Sequence, residues 1–315
     1  MKSGMVLISG RSNLELAEKI AKKLRTKVVE PVTSFADGEI RVTIPVTMRR
    51  QEVFIIQSTS APVNNNLMEL LLMVDAAKRA SAEEVTAIIP YFGYSRQDRK
   101  DQPRVPISAA LVAKLIKVAG TRRILTLDVH SEQQQGFFDG PWDNLYGSYT
   151  LIPAIKKMKI KNLVVASPDK GGVPRAVTYA RLLDAEGIAI VYKERDTKLA
   201  NHCESLGLIG DVKNKKILLV DDMADTTGTI VSAAKLLKSR GAKEIYVAVT
   251  HGPFSPPALE RISSAPIKKW WVTDTILHPA EIKNHPRVKV VSVATLLAKA
   301  INRIYQRKSI SDLIL

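Results

Sequence analysis

Short aliphatic runs alternate with helical apolar stripes along almost the whole chain. Val6-Leu7-Ile8-Ser9 has the unbroken apolar character of a buried strand, and residues 14–24 repeat apolar positions at helical spacing. The alternation continues with strands over 53–56, 85–90 and 123–129 and helices over 67–79 and 108–118. A second series predicts strands over 163–166, 216–220, 245–249 and 270–272, with helices over 173–185, 229–238, 259–262 and 293–304. Strands that are apolar at nearly every position have no face to offer to water. With helices between them they form parallel sheets covered on both sides. The expected class is α/β, each sheet mainly parallel and flanked by helices. One series closes near His130 and the other opens near Leu151, which divides the chain into residues 1–148 and 149–304. The tail over 305–315 is expected to pack back on the first part.

The stretch over 33–45 breaks this rhythm. Asp37-Gly38 has the residues of a tight hairpin turn, and an alternating strand follows it. Taken alone, this pattern specifies a turn and no chemistry.

The 315 residues are 45% apolar and 25% charged, which excludes a disordered, collagen-like or coiled-coil chain. That length suggests two domains. The single cysteine, Cys203, excludes an intrachain disulfide and a cysteine-cluster metal site, and it suits a reducing cytoplasm. The run Met5-Val6-Leu7-Ile8 is too short for a signal-peptide core, and no stretch approaches the ~20 apolar residues of a membrane helix. A soluble cytoplasmic protein without a membrane partner is expected. Charge changes the picture more. With 47 Lys+Arg against 31 Asp+Glu the formal net charge is +16, so the ligands should be anions. The basic residues are scattered in pairs such as Lys22-Lys23 and Arg122-Arg123, and aromatics are only 5%, so nucleic acid is not the expected partner. Small phosphorylated metabolites require the same sign of field.

Common nucleotide motifs are absent: there is no Gly-Lys dipeptide for a Walker A loop and no Gly-x-Gly for a dinucleotide fingerprint. The candidate phosphate loop is instead Leu218-Leu219-Val220-Asp221-Asp222-Met223-Ala224-Asp225-Thr226-Thr227-Gly228-Thr229-Ile230. A buried strand delivers two carboxylates at its C-terminal end, and a helix opens at the Thr-Thr-Gly-Thr run. Ligands of open parallel sheets bind at that end. Backbone N–H groups, hydroxyls and the helix dipole would hold a monophosphate, while Asp221 and Asp222 would accept from vicinal sugar hydroxyls or hold Mg²⁺ through water. The bland alternative is a solvated acidic turn with a Thr cap. The strand–carboxylates–Thr/Gly–helix order is the fingerprint of the phosphoribosyltransferase superfamily.

Further segments narrow the resemblance. They are Phe35-Ala36-Asp37-Gly38-Glu39, Asn66-Leu67-Met68-Glu69-Leu70, Pro90-Tyr91-Phe92-Gly93-Tyr94-Ser95-Arg96-Gln97-Asp98 and Leu127-Asp128-Val129-His130. Gln135-Gly136-Phe137-Phe138-Asp139, Asp143-Asn144-Leu145, Ser167-Pro168-Asp169-Lys170-Gly171-Gly172 and Lys193-Glu194-Arg195 continue the series. Over essentially its whole length the chain resembles the class I ribose-phosphate pyrophosphokinases, or phosphoribosyl pyrophosphate synthetases, of bacterial type. The resemblance implies two phosphoribosyltransferase-like domains. It also implies transfer of the β,γ-diphosphoryl group of ATP to the anomeric hydroxyl of ribose 5-phosphate, with AMP released, Mg²⁺ as cofactor and the product feeding nucleotide, histidine and tryptophan biosynthesis.

Roles carry over residue by residue. Asp225, Thr226, Thr227, Gly228 and Thr229 match the 5-phosphate loop, with Asp221 and Asp222 on the ribose hydroxyls. Asp169, Lys170, Gly171 and Gly172 match the pyrophosphate loop. His130 and Asp169 match the Mg²⁺ ligands, although a lone strand-end histidine is more often a satisfied donor and imidazole is an unusual ligand for Mg²⁺. His202, His251, His278 and His285 are given no role. Arg96 and Gln97 match an ATP-binding arm, and Phe35, Asp37 and Glu39 match an adenosine-binding hairpin that in the family enters a neighbouring subunit's site. That implies a homo-oligomer, usually a hexamer. Lys193 and Arg195 match the transition-state cations. Arg49, Arg104, Ser309 and Ser311 match an anion site at which phosphate activates and ADP inhibits, with Glu132 standing where some relatives have serine. The chain departs from the pattern at residues 196–203, a stretch about two residues longer than usual, and at Lys170, where relatives usually have a neutral residue. A non-catalytic relative would be expected to have lost one of these groups. A simple phosphoribosyltransferase or nucleic-acid-binding regulator would lack the Phe35 hairpin and the Arg96-Gln97 arm.

Overall fold

A computed structural model of the chain describes residues 4–195 and 204–313, with the side chains of residues 193–195 and 204–205 excepted. Its elements follow the apolar pattern. The first part runs β1 (Met5–Ser9), α1 (Leu14–Leu24), β2 (Val28–Val29), β3 (Val32–Ser34), β4 (Ile40–Val42), β5 (Glu52–Ile56) and α2 (Val63–Arg79). It continues with β6 (Glu84–Ile89), α3 (Ser108–Ala119), β7 (Arg123–Leu127) and β8 (Trp142–Leu145). Then come α4 (Ser148–Lys156), β9 (Leu163–Ser167), α5 (Val173–Leu183), β10 (Gly187–Arg195), β11 (Glu204–Ile209), β12 (Lys216–Met223), α6 (Gly228–Ser239) and β13 (Glu244–His251). The chain finishes with α7 (Ala258–Ser264), β14 (Lys269–Thr273), α8 (Ala280–Lys283), β15 (Val288–Val291) and α9 (Ala294–Tyr305).

Two sheets carry this alternation. The first has strand order β2-β1-β5-β6-β7-β8, every pairing parallel. The second has order β11-β10-β9-β12-β13-β14-β15, parallel except where β11 pairs antiparallel with β10. The α/β class with helix-covered parallel sheets is as expected. The continuous apolar strands are buried on both faces: Val85, Ala87, Ile88 and Ile89 of β6 and Trp270 and Trp271 of β14 are all buried.

The chain divides into two compact units. One comprises Met1–Tyr146, Asp274–Leu277 and Ser292–Leu315; the other comprises Gly147–Thr273 and His278–Val291. This differs from the sequence division, which put everything over 149–304 together. The physical reason is α9, which packs on α1. It buries the stripe Leu296, Leu297, Ala300 and Ile301, while α1 buries Leu16, Ala17 and Ile20. Asp274 anchors the crossing segment: its carboxylate accepts the Val293 N–H at 2.8 Å and pairs with Lys19 at 3.1 Å, and its carbonyl accepts from the Asn13 amide at 2.8 Å. The end of the chain lies in the same unit, with Ile310 and Leu313 buried and Arg303 bonded to the Ser309 carbonyl at 3.0 Å and paired with Asp312 at 2.9 Å.

Several elements escape the apolar pattern. β8 reads Trp-Asp-Asn-Leu, with a polar middle. β10 and β11 pair antiparallel, and α4 carries Pro153 inside it.

Candidate functional site

The second unit builds its site at the carboxyl end of β12. Asp221 and Asp222 are adjacent there, the Asp222 N–H donating to the Asp221 carboxylate at 2.9 Å. Arg175, on the first turns of α5, lies 3.6 Å from Asp221 and 4.0 Å from Asp222. Burial pushes the Asp221 carboxyl well above the usual carboxylate range, the charge of Asp222 adds to this, and Asp169 adds a further repulsion that Arg175 only partly offsets. Like charges gathered in a mostly buried place favour a hydrogen-bond donor or a cation as ligand.

The chain then turns sharply. Thr227 sits in the left-handed region at φ 62° and precedes α6, whose start has no side-chain cap. A β-branched residue rarely adopts this conformation, so the turn stores strain. The Thr227 Oγ1 is sealed from water and has no hydrogen-bond partner among the described residues. The orphaned hydroxyl adds to the cost of the turn, while the uncapped helix start leaves backbone N–H groups that an anion fits. Thr229 is exposed beside it, and Arg261 on α7 donates to the Thr226 carbonyl at 2.7 Å.

The loop after β9 is tied to itself. Ser167 Oγ donates to the Asp169 carbonyl at 2.7 Å, and the Gly172 N–H donates to the Asp169 carboxylate at 2.9 Å. A Cβ at Gly172 would lie 2.6 Å from Ser167 Oγ, so a side chain there would have to displace that hydroxyl. Lys170 carries its ammonium over the Tyr192 ring, 5.7 Å from the centroid. Lys193 and Arg195 take their places in β10 opposite Leu206 and Glu204, at the level of backbone pairing. The atypical stretch 196–203, with His202 and Cys203, lies outside the described residues.

The first unit carries three candidates. His130 follows β7, where Asp128 has φ 36°. The His130 N–H donates to Ser95 Oγ at 3.0 Å and the Val129 N–H to the Asn144 side chain at 3.1 Å, leaving the histidine exposed on a fixed backbone. Arg96 and Gln97 follow a turn at Tyr94, where φ is 63°; Arg96 is exposed, and the Gln97 side-chain oxygen accepts from Ser108 Oγ at 2.5 Å. β3 and β4 form the two-stranded hairpin, closed by Phe35 N–H to the Glu39 carbonyl at 2.8 Å and turned at Gly38, φ 95°. Phe35 is 49% exposed, with the Arg41 guanidinium 5.7 Å from its ring centroid. Asp37 spends one carboxylate oxygen on the Glu39 N–H at 3.0 Å.

Arg49 and Arg104 are exposed in this unit, and Ser309 Oγ donates to Ser311 Oγ at 2.9 Å. Glu132 accepts from the Tyr146 hydroxyl at 2.6 Å, a bond that fixes this carboxylate. Among the described histidines without a role, His251 and His278 are buried. His285 accepts the Arg287 N–H on Nδ1 at 3.2 Å, so its Nε2 donates to Ser263 Oγ at 3.1 Å. That tautomer cannot take a proton from the serine.

Among the described residues no group of three His, Cys, Asp or Glu side chains gathers as a metal cage. Sequence reasoning missed Arg175 and Arg261. Arg175 had a signal, lying one helical turn past the Gly171-Gly172 pair. Arg261 is far from the acidic pair in the sequence and had none.

Known proteins resemble the chain along its whole length. Residues 5–120 match the N-terminal domain of ribose phosphate pyrophosphokinase, and residues 197–315 match the phosphoribosyl synthetase-associated domain. The ribose-phosphate pyrophosphokinase of Campylobacter jejuni is 48% identical over 311 residues, covering 98% of this chain and 99% of that one. That of Chlorobaculum tepidum is 50% identical over 315 residues, covering 99% and 96%. The crystal structure of phosphoribosylpyrophosphate synthetase from Mycobacterium smegmatis superimposes with a TM-score of 0.91 at 40% identity, over 97% of this chain and 100% of that one.

Proposed function

The chain belongs to the ribose-phosphate pyrophosphokinase family and is an enzyme of that kind, and from this premise we propose how its residues carry the reaction. The anomeric hydroxyl of ribose 5-phosphate attacks the β-phosphorus of ATP. The bond between that phosphorus and the oxygen bridging it to the α-phosphate breaks, and AMP leaves with that oxygen. Phosphoryl chemistry of this type is driven by positioning and charge neutralisation rather than by a protein nucleophile.

The observation that supports this reading most is the segment from Asp221 to Thr229. Two crowded carboxylates with a raised Asp221 are matched by vicinal sugar hydroxyls, which donate to both. The uncapped start of α6 and the exposed Thr229 are matched by the 5-phosphate, with Asp225, Thr226, Thr227 and Gly228 completing the loop. Asp169 to Gly172 hold the diphosphoryl group through backbone N–H groups, and Lys170 adds a cation beside them. Arg96 and Gln97 bind ATP, Phe35 stacks on adenine, and Asp37 and Glu39 accept from its amino group. Lys193 and Arg195 neutralise charge that develops in the transition state. His130 and Asp169 would each be able to hold Mg²⁺, which when bound would supply charge neutralisation for the phosphate groups. An exposed Phe35 on a two-stranded hairpin suits insertion into a second copy of the chain, which supports a homo-oligomer with shared active sites; the hexamer is what the family resemblance implies. Arg49, Arg104, Ser309 and Ser311 form the effector site for phosphate and ADP.

The test is the bond that breaks. ³¹P NMR of the purified enzyme with ATP and ribose 5-phosphate should show AMP as the first nucleotide product, with both outer phosphorus atoms of ATP arriving on the sugar. An ADP resonance growing in step with the sugar product would replace this reading with ordinary phosphoryl transfer.

A further inference from the structure

Arg261 stands outside every motif of the sequence, yet one of its guanidinium nitrogens donates to the Thr226 carbonyl at 2.7 Å. The same nitrogen lies 3.2 Å from where a side chain at Gly228 would begin. It therefore packs against the turn that opens α6, within the same compact unit. A peptide plane carries its C=O and N–H in opposite directions. Holding the Thr226 carbonyl on Arg261 sends the Thr227 N–H the other way, away from the guanidinium. It also removes a carbonyl dipole from a place where an anion would meet it as repulsion. Thr227 is the residue held at φ 62° with its hydroxyl buried and without a partner among the described residues, so the peptide that Arg261 grips is the strained one. A strained peptide flips unless something over-determines it. Arg261 is half-buried on a short helix whose own backbone is set by Ile262 in the core, so the guanidinium is offered from a rigid support.

We propose that Arg261 is a positioning residue for the phosphate loop: it fixes the Thr226–Thr227 peptide with its N–H turned to the 5-phosphate of the sugar substrate. This rests on the reading of residues 225–229 given above. The guanidinium acts through the peptide, and its charge lowers the cost of bringing a dianion to the turn.

The experiment is calorimetric titration of ribose 5-phosphate into the purified full chain, beside steady-state kinetics. Arg261→Ala should weaken ribose 5-phosphate binding and raise its KM by about tenfold or more, the loss expected for one charge-assisted hydrogen bond. kcat and the KM for ATP should change less than about twofold. Arg261→Lys, which keeps a charged donor, should recover most of the affinity. Arg261→Met, which keeps the stem for packing, should behave like the alanine variant and guards against a mere packing defect. Wild-type protein that takes up no ribose 5-phosphate would overturn the loop assignment and this inference together. Wild-type binding matched by Arg261→Met would overturn this inference alone, as would a fall in kcat with unchanged affinity.

Discussion

Over β1 and β5, in the first unit, a carboxylate beside the strand ends is buried and fully engaged. Glu69 accepts the Arg11 N–H and its Nε, the latter at 2.8 Å, and takes a third bond from Gln57 at 3.2 Å. Gln57 in turn accepts from Ser12 Oγ at 2.7 Å and donates to the Asn66 carbonyl at 3.1 Å. Over β12, in the second unit, two strand-end carboxylates face one guanidinium at 3.6 and 4.0 Å, and a buried hydroxyl beyond them has no partner among the described residues. Both places are the carboxyl ends of parallel strands, where the fold permits a ligand. The first has turned its polar groups on one another and become structure. The second leaves its charges crowded and the start of α6 uncapped, groups that the proposed sugar phosphate would match. The state of hydrogen bonding, more than position in the sheet, separates a scaffold corner from a binding site.

The largest test of that contrast is to remove a carboxylate from each end. Glu69→Ala should destabilise the protein by about 3 kcal/mol, because Arg11, Gln57 and the Arg11 backbone N–H lose their acceptor. Asp221→Asn should cost nothing in the ligand-free protein, or stabilise it, while weakening ribose 5-phosphate by about tenfold or more, the loss of one good acceptor. Urea unfolding of both variants, with and without the sugar phosphate, measures this. Equal destabilisation by the two substitutions would erase the distinction.

The two ends were unequally legible. The acidic pair, the Thr/Gly turn and the helix after it stand consecutively in the sequence, so their adjacency is legible there. The Glu69 corner joins Arg11, Gln57 and Glu69, which are up to 58 residues apart, and its apolar surroundings hide it inside a helical stripe. Helix positions were legible wherever a stripe ran unbroken, as in α1 over 14–24. The stripe of α9 announced a helix but not its neighbour, because amphipathicity says how much surface must be buried and not against what. β8 went unseen because Asn144 is buried for its side chain's bond to the Val129 N–H, a role no periodicity encodes. Arg261 went unseen for the same reason: what marks it is one bond to a distant carbonyl.

Glycine substitutions sharpen the comparison at a smaller scale. A Cβ at Gly10 would lie 2.3 Å from the Gln57 side-chain oxygen and 2.7 Å from the Glu69 carboxylate, both locked in the network. Gly10→Ala should therefore cost about 1–3 kcal/mol of stability, the usual range for overpacking. At Gly172 the clash is with one rotatable hydroxyl, Ser167 Oγ, at 2.6 Å. Gly172→Ala should lower thermal stability less than Gly10→Ala does, and show its effect as a raised KM for ATP. Matching stability losses without a kinetic effect would make the β9 loop a scaffold too.

The smallest expected effect is on the pH dependence of stability, and it has opposite signs at the two ends of the second sheet. Asp221 has a raised carboxyl in the folded protein, so the folded state holds its proton to higher pH than the unfolded chain. Its contribution thus falls as pH rises from the ordinary value of 3.8 through the raised one, and Asp221→Asn should flatten that limb. At the start of β13, Glu244 is bonded to Lys268 at 2.8 Å and Tyr246 at 2.5 Å, which hold its carboxyl down to about 2. A depressed value stabilises above the unfolded value of 4.5 and is lost as pH falls from 4.5 toward 2. Water reaches Glu244 and Lys268 and screens their pair, so the whole effect should be about 1 kcal/mol or less. Thermal midpoints measured from about pH 3 to about pH 7 should show Glu244→Gln converging on wild type in acid and falling below it at neutral pH. Asp221→Asn should do the reverse, lying at or above wild type at neutral pH. A Glu244→Gln variant as stable as wild type at neutral pH would remove the paired end of the sheet from the contrast, leaving only the crowded carboxylates to titrate.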